Sequence, residues 1–178
     1  MGAAVEGWTA SEIHEKHSRL QDFQDSHRGF GRYTDDTQMT LALAASLVEV
    51  GRLSAEHVSS KYAERYEGWR GYGGAAHHVM QALRQDADYR RTGRLGFAEG
   101  SFGNGGAMRI APVGLVYRHA TDQVLRQVVT DALLCTHVHP EAIDGAFVQA
   151  KAVAVAATAD PPADFDPGDT QHPVHRRR

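Results

Sequence analysis

The chain has 178 residues, of which 42% are hydrophobic, and its formal net charge is −3 at pH 7. This length and apolar content are sufficient for one domain with its own core. The slightly acidic balance excludes a general basic surface, so we expect no binding to the backbone of nucleic acids.

The single cysteine and the lack of long apolar runs bear on the location of the protein. Cys135 cannot form an intramolecular disulfide, and the apolar run 132–135 favours a buried, unreactive thiol. No stretch approaches the roughly eighteen consecutive apolar residues of a membrane span, and the first residues do not resemble a secretion signal. The sequence therefore predicts a cytoplasmic protein with no membrane partner.

Apolar residues recur at helical spacing through the first half of the chain. The pattern predicts a helix over residues 39–50, ended by a glycine, and a second helix between Ser54 and Gly68. A glycine-rich turn at 71–74 precedes a third helix, which is predicted over residues 75–85. A polar, arginine-rich connection follows.

Three further helices are predicted in the second half. The first begins late or is kinked at Pro112. Its predicted buried face comprises Ile110, Val113, Val116 and Tyr117. The second is capped by Thr121 or Asp122. Its predicted apolar stripe comprises Val124, Leu125, Val128, Val129 and Leu133. The third begins at Pro140. Its predicted buried side comprises Ala142, Ile143, Ala146, Phe147, Ala150 and Val153.

The periodicity also indicates the fold class. No stretch alternates apolar and polar residues over the length of a strand, so the sequence predicts an all-α fold, an orthogonal multi-helix bundle. From Asp160 the composition becomes rich in proline and polar residues and offers little to bury. We therefore expect one domain over residues 1–158 and a disordered tail over residues 159–178.

Two adjacent carboxylates lie in the segment 31–37 (Gly-Arg-Tyr-Thr-Asp-Asp-Thr), just before the first predicted helix. Thr34, Asp35 and Asp36 offer the hard oxygen ligands that Mg²⁺ requires. Asp and Thr are also preferred N-cap residues, and a negative charge suits the positive end of a helix dipole. Helix capping is therefore the alternative interpretation of this cluster.

A loop with four glycines covers residues 100–109 (Gly-Ser-Phe-Gly-Asn-Gly-Gly-Ala-Met-Arg) and leads into a predicted helix. Glycines permit positive φ angles, so consecutive backbone N–H groups could converge on a phosphate at the helix start. The alternative is a tight connection without a ligand.

Two histidines flank one residue in the segment 136–141 (Thr-His-Val-His-Pro-Glu). This spacing is compatible with zinc, but no further ligands occur at the usual spacings. One of the two histidines is therefore predicted to be a hydrogen-bonding pocket residue, or simply a residue at a helix end.

In their residues and in their order along the chain, these segments resemble the motifs of the ADP-ribosylglycohydrolase family, which includes the dinitrogenase reductase-activating glycohydrolases. Residues 33–37 resemble the family's first metal motif, residues 103–109 its substrate loop, and residues 136–140 a third signature. Residues 2–7 are similar to the end of the family's opening helix, whose glutamate lies beside the metal site. The similarity spans roughly residues 2–158.

The resemblance implies an all-α fold with a cleft for two Mg²⁺ ions. It also implies hydrolysis of the glycosidic bond that joins ADP-ribose to a protein side chain or small acceptor, so the expected partners are such conjugates. Thr34, Asp35 and Asp36 would be metal ligands, and Glu6 would act with the two aspartates in catalysis. Glu6 would exchange a proton with the leaving group or the attacking water. The implied substrate-binding residues are Gly100, Ser101, Phe102, Gly103, Asn104, Gly105, Gly106, Met108 and His137.

Relative to the family, we expect the sequence to be truncated at both ends. The family's late Asp-x-Asp-Thr metal motif is not recognisable, and proline and glycine beside residues 164–166 make a buried helix there implausible. This predicts an incomplete bundle that is nearly inactive unless a complementing polypeptide supplies further ligands. The alternative is a catalytically inactive fragment, or a module that binds ADP-ribose through its glycine loop.

Overall fold

The computed structural model describes residues 2–18, 20–25 and 29–159, so the predicted tail lies outside the described residues except for Ala159. In these ranges the chain forms helices and no β-strand, which confirms the all-α prediction. The helices are α1 (Ala10–His17), α2 (Asp35–Val50), α3 (Ala55–Arg65), α4 (Gly74–Arg84), α5 (Tyr89–Thr92), α6 (Ala111–Val116), α7 (Asp122–Leu133) and α8 (Pro140–Thr158). Single 3₁₀ turns occupy Gly2–Ala4, Gly68–Arg70 and Ala107–Arg109. Within the described ranges, no helix combines the length and the apolar character that crossing a bilayer requires.

The capping residues of the sequence define most helix boundaries. Gly51 ends α2 with a left-handed φ of 75°. Ser54 and Thr121 cap α3 and α7 by accepting hydrogen bonds from backbone N–H groups of the first turn. Pro140 occupies the first turn of α8. These observations confirm the predicted helices, although α2 begins at Asp35, one turn before its predicted start.

Two short helices lie in segments for which the sequence pattern predicts none. The first, α1, begins with a capping box in which the N–H of Glu12 donates to Thr9 and the N–H of Thr9 donates to Glu12. It has no buried residue, so it lacks the apolar stripe by which the other helices are recognised. The second, α5, interrupts the arginine-rich connection. Near the N-terminus, residues 2–7 form a 3₁₀ turn and a loop instead of the expected α-helix end.

The core forms where six helices pack on one another. Helix α2 contacts α3 and α6, α3 contacts α4, and α8 contacts α6 and α7. The larger buried apolar side chains are Met39, Leu43, Leu47, Val58, Tyr62, Met80, Ile110, Val113, Leu125, Val129 and Leu133. Helix α8 instead presents a stripe of buried alanines, which permits a close approach of its neighbours. Its members are Ala142, Ala146, Ala150 and Ala154. Cys135 is buried as predicted, and this burial raises the pKa of its thiol to about 11.

Two valines predicted to be buried are instead exposed. Val116 on α6 is 51% exposed, and Val124 on α7 is 48% exposed. Successive residues of a helix are separated by about 100°. Val124 is therefore rotated away from its buried neighbour Leu125, and Val116 is rotated away from the face that Ile110 and Val113 define. The prediction counted them because of their spacing and apolar character alone.

The close contact between α6 and α8 depends on Gly114. A Cβ atom at Gly114 would lie 2.5 Å from the carbonyl oxygen of Ala150 and 3.0 Å from Cβ of Val153. We expect Gly114→Val to lower the free energy of unfolding by about 3 kcal/mol, because the backbone oxygen cannot move aside. Urea unfolding monitored by circular dichroism measures this change. Gly145→Val on α8, where nothing lies within 4 Å of the added Cβ, is the matched control and should not be destabilised. Equal midpoints for the two variants would contradict the packing argument.

Candidate functional site

Three carboxylates from two segments meet at the N-terminus of α2. Glu6 follows the first 3₁₀ turn, whereas Asp35 and Asp36 form the start of α2. One carboxylate oxygen of each lies within 4.8 Å of the others. Hard oxygen donors at this spacing fit a divalent cation such as Mg²⁺. The structure therefore brings together the three carboxylates that the sequence analysis singles out.

Thr34 occupies the N-cap position of α2, but its side chain forms no capping hydrogen bond. Its hydroxyl instead donates to Oδ2 of Asp36 at 2.9 Å. This contact orients the Asp36 carboxylate, and it leaves the lone pairs of the hydroxyl available to a cation. Thr34 therefore does not cap α2 through its side chain, as the alternative interpretation of the cluster would require.

The three carboxylates of the cluster repel one another, and this repulsion affects the pKa of Asp35. Half-burial of Asp35 is the main reason why its pKa rises from 3.8 to about 6. The negative charges of Asp36 and Glu6 raise the pKa of Asp35 further. A bound divalent cation would remove this repulsion, so the charge distribution agrees with the oxygen donor set.

From the raised pKa of Asp35 we predict how the free energy of unfolding depends on pH. Between pH 3.8 and about 6 the folded state binds more protons than the unfolded chain, so stability falls as pH rises through this window. After discounting for solvent screening, we expect Asp35→Asn to stabilise the metal-free chain by about 1 kcal/mol near pH 7.5. The gain should shrink toward about pH 4.5, where the folded-state carboxyl is already protonated.

Thermal unfolding of the metal-free chain at these two pH values measures the effect. Asp122→Asn is the matched control, because Asp122 also lies in the first turn of a helix but pairs with Lys151. That variant should show no gain in stability. A less stable Asp35→Asn variant near neutral pH would contradict the electrostatic account.

A buried polar network holds the segment that leads into α2. Arg70, only 6% exposed, donates through Nη1 to the carbonyl oxygen of Tyr33 at 3.0 Å. Its Nε donates to Glu67, which also accepts a hydrogen bond of 2.9 Å from the side chain of Gln38. The guanidinium lies 3.9 Å from the centroid of the Tyr33 ring. Arg70 therefore holds both the backbone carbonyl and the ring of Tyr33, the residue just before Thr34.

The glycine loop packs closely on the segment that contains the two histidines. A Cβ atom at Gly105 would lie 2.7 Å from Cε1 of His137, and one at Gly106 would lie 2.5 Å from Cδ2 of Leu133. Gly100 has a φ of 86°, and its added Cβ would meet the side chain of Val138 at 2.6 Å. These contacts explain why the loop requires glycine at these positions.

A cavity of about 320 Å³ lies beside this loop. Its wall includes Asp35 of the carboxylate cluster. Among the predicted substrate-binding residues, those that line it are Ser101, Gly103, Asn104, Gly105, Met108 and His137. Gly100 and Gly106 instead pack against neighbouring segments, and the Phe102 ring is 68% exposed beside His139. A second, open cavity of about 600 Å³ is lined by Glu6, Thr34 and Asp36. The carboxylate cluster therefore borders both cavities.

The two histidines have different environments. His137 is buried, and its Nδ1 lies 2.9 Å from Oγ1 of Thr136. Burial, followed by the positive charge of Arg109, lowers the pKa of His137 to about 3, so the ring is neutral at physiological pH. His139 is the N-cap of α8, and its Nδ1 accepts from the N–H of Glu141 at 3.2 Å. The pocket and helix-end alternatives thus apply to one histidine each.

Several residues of the cavity wall are missing from the sequence prediction. They are Met39, Gly73, Gly74, Ala75, Ala76, Phe97, Arg109 and Thr136. The start of α4 and the glycine turn before it face the loop across the cavity, a long-range arrangement that no local pattern reveals. Arg109 lies within the quoted loop motif, but its complete burial is a property of the tertiary structure.

Comparison of the sequence with known proteins points to one family. The sequence profile of the ADP-ribosylglycohydrolase family matches residues 1–174. ADP-ribosylhydrolase ARH3 of Danio rerio is 32% identical over 163 residues, covering 86% of this chain and 43% of that protein. The protein of the same name from Gallus gallus is 35% identical over 129 residues, covering 70% of this chain and 35% of that protein. An uncharacterized protein of Archaeoglobus fulgidus is 31% identical over 163 residues, covering 86% of this chain and 50% of that protein. The chain therefore spans half or less of the length of these relatives.

Proposed function

The chain belongs to the ADP-ribosylglycohydrolase family, and on this premise we propose that it forms part of a Mg²⁺-dependent hydrolase. The hydrolase would cleave the glycosidic bond between ADP-ribose and a protein side chain or small acceptor. One observation carries the proposal: Asp35 belongs to the carboxylate cluster and also lines the cavity beside the glycine loop. A cation at the cluster and a ligand in that cavity would therefore be in contact or nearly so.

The carboxylates would perform the chemistry at the anomeric carbon. Thr34, Asp35 and Asp36 would hold Mg²⁺, which when bound supplies the charge that fixes ribose hydroxyls and activates the attacking water. The negative charge of the cluster would stabilise the positive charge that develops as the glycosidic bond breaks. Glu6, which is exposed to the second cavity, would exchange a proton with the leaving group or with the water.

The glycine loop would hold the diphosphate of ADP-ribose. Backbone N–H groups from Gly103 to Gly106 would face the phosphate oxygens, as in other anion sites built from glycine-rich backbone. The N–H of Gly103, which donates to Oγ of Ser101 at 3.2 Å, would exchange that hydrogen bond for one to the phosphate. Ser101 and Asn104 line the same cavity and offer side-chain hydrogen bonds, whereas Met108 and the neutral His137 form its wall. Gly100 lets the loop lie against Val138, and the exposed ring of Phe102 is available to the nucleotide.

Ligand counting limits what these residues can do alone. Thr34, Asp35 and Asp36 supply one hydroxyl and two carboxylates, which are too few ligands for the octahedral coordination shells of two Mg²⁺ ions. A Mg²⁺ ion that is held mainly by water positions a substrate poorly. We therefore infer that further oxygen ligands come from additional polypeptide and that the 178 residues alone are nearly inactive. The predicted cytoplasmic location belongs to this proposal, because the lone Cys135 suits a reducing compartment.

A second candidate is a module that binds ADP-ribose without catalysis. The observation that favours it is the cavity beside the glycine loop. Among the residues that the structure describes, Asp35 is the only carboxylate in the wall of this cavity. This candidate and the hydrolase differ in one measurable property, which is bond cleavage.

Release of free ADP-ribose from an ADP-ribosylated protein tests the hydrolase. The assay compares the 178-residue chain with a longer polypeptide. The longer polypeptide contains the same chain and, in addition, the helices that only the longer family members have. We expect release by the longer polypeptide in Mg²⁺, loss of release with a chelator, and almost none by the chain alone. Full turnover by the chain alone would refute the ligand count, and release that is indifferent to the chelator would refute the metal assignment.

A further inference from the structure

Arg109 is a buried cation that has no ion-pair partner within 4 Å among the residues that the structure describes. Its side chain is 0% exposed, and among the described residues it forms no ion pair with Asp or Glu. Its Nε has no hydrogen-bond partner there either. Burial of a charged group that has no ion-pair partner is unfavourable for stability, so packing alone does not account for an arginine at this position.

The guanidinium connects two segments of the cavity wall. Nη1 donates to the carbonyl oxygen of Gly105 at 2.8 Å, and Nη2 donates to Oγ1 of Thr136. The centroid of the Tyr62 ring lies 4.8 Å from Cζ, a cation–π contact that helps to hold the guanidinium in place. A planar group with fixed donors sets the distance and the angle between the loop and Thr136.

The contact with Gly105 also determines which way the loop amide points. The peptide between Gly105 and Gly106 is trans, so its C=O and N–H groups point in opposite directions. Because Arg109 holds the carbonyl, the N–H of Gly106 is directed away from the guanidinium. A peptide between two glycines could otherwise rotate at little steric cost.

The same contacts include His137. Oγ1 of Thr136, which accepts from Arg109, lies 2.9 Å from Nδ1 of His137. The opposite edge of that ring packs under Gly105, where an added Cβ would lie 2.8 Å from Nε2. The contacts therefore form a closed ring at the edge of the cavity, which runs from Arg109 through Thr136, His137 and Gly105 back to Arg109.

We propose that Arg109 is a positioning residue: through Gly105 and Thr136 it fixes the glycine loop against the His137 ring in the arrangement that accepts ADP-ribose. This inference deepens the proposed function and rests on it for the identity of the ligand. Arg109 itself acts through the loop backbone and does not need to touch the ligand. Its positive charge also favours an anion in the adjoining cavity.

Two variants test the proposal without removing a large side chain. Thr136→Val replaces the hydroxyl by a methyl group of similar size, and Arg109→Lys keeps the charge but cannot bridge both partners. Arg84→Met is the control, because Arg84 also donates to two backbone carbonyls, those of Ala63 and Tyr66, but does so at the other end of α4. The readouts are ¹⁵N NMR signals of the loop amides and the imidazole in ligand-free protein, and the affinity for ADP-ribose.

We expect Thr136→Val and Arg109→Lys to shift the signals of Gly105, Gly106 and His137 and to weaken ADP-ribose binding about tenfold or more. The control should change neither readout. Unchanged loop and imidazole signals in Thr136→Val, which should fold even if Arg109→Lys does not, would overturn the proposal. If the wild-type chain binds no ADP-ribose, the proposed function fails, whereas the signals of the free protein still decide the role of Arg109.

Discussion

Changing Gly105 to valine is expected to abolish measurable ADP-ribose binding to this chain. The new Cβ would lie 2.7 Å from Cε1 and 2.8 Å from Nε2 of His137, and the branched side chain would need still more room. The buried ring cannot move away, because Thr136 and Arg109 hold it from the other side. The loop must therefore shift, which moves its backbone N–H groups out of hydrogen-bonding distance of the diphosphate that they would hold.

Calorimetric titration with ADP-ribose measures this loss. The matched control is Gly145→Val, which makes the same substitution where nothing lies within 4 Å of the new Cβ. That variant should bind like the wild-type chain. Circular dichroism and the unfolding midpoint show whether Gly105→Val remains folded. Unchanged affinity in a folded Gly105→Val variant would count against the assignment of the loop.

Replacing Asp35 and Asp36 together by asparagine is expected to lower hydrolysis by the completed enzyme about a thousandfold or more. Two anionic oxygen ligands become neutral amides, which bind Mg²⁺ weakly, while the side-chain volumes hardly change. The carboxylates that face the developing positive charge are lost at the same time. The rate of ADP-ribose release at saturating substrate measures the effect.

The control for this double substitution changes two surface aspartates in the same way. Asp122 and Asp144 form ion pairs with Lys151 and Arg126, away from the carboxylate cluster. Their replacement by asparagine should leave the rate of release unchanged. Activity that survives the loss of Asp35 and Asp36 would refute the assignment of these residues as metal ligands.

The main helices were predictable because their boundaries are local. Gly51, Ser54, Thr121 and Pro140 are capping residues whose effect depends on their own backbone and the next turn. The errors arise because burial is not a local property. The spacing and apolar character of Val124 predict that it is buried, but only the neighbours in space decide which side of a helix is covered.

The candidate site was predictable in its parts but not in its assembly. The paired aspartates and the glycine loop are visible as motifs, and their approach through a shared cavity depends on how α2 and the loop pack. Arg109 illustrates the limit. Arginine is usually exposed, so nothing in the sequence alone indicates that this guanidinium is buried and bridges Gly105 and Thr136.

The claim that the carboxylate cluster and the glycine loop form one site is tested most directly by calorimetric titration of the 178-residue chain with ADP-ribose, with and without Mg²⁺. We predict weak binding that becomes tighter when Mg²⁺ is present, because a cation held by Asp35 borders the cavity that takes the ligand. We also predict that Asp35→Asn combined with Asp36→Asn removes the effect of Mg²⁺ but not the weak binding. Absence of any binding, or an affinity that Mg²⁺ does not change, would contradict the account.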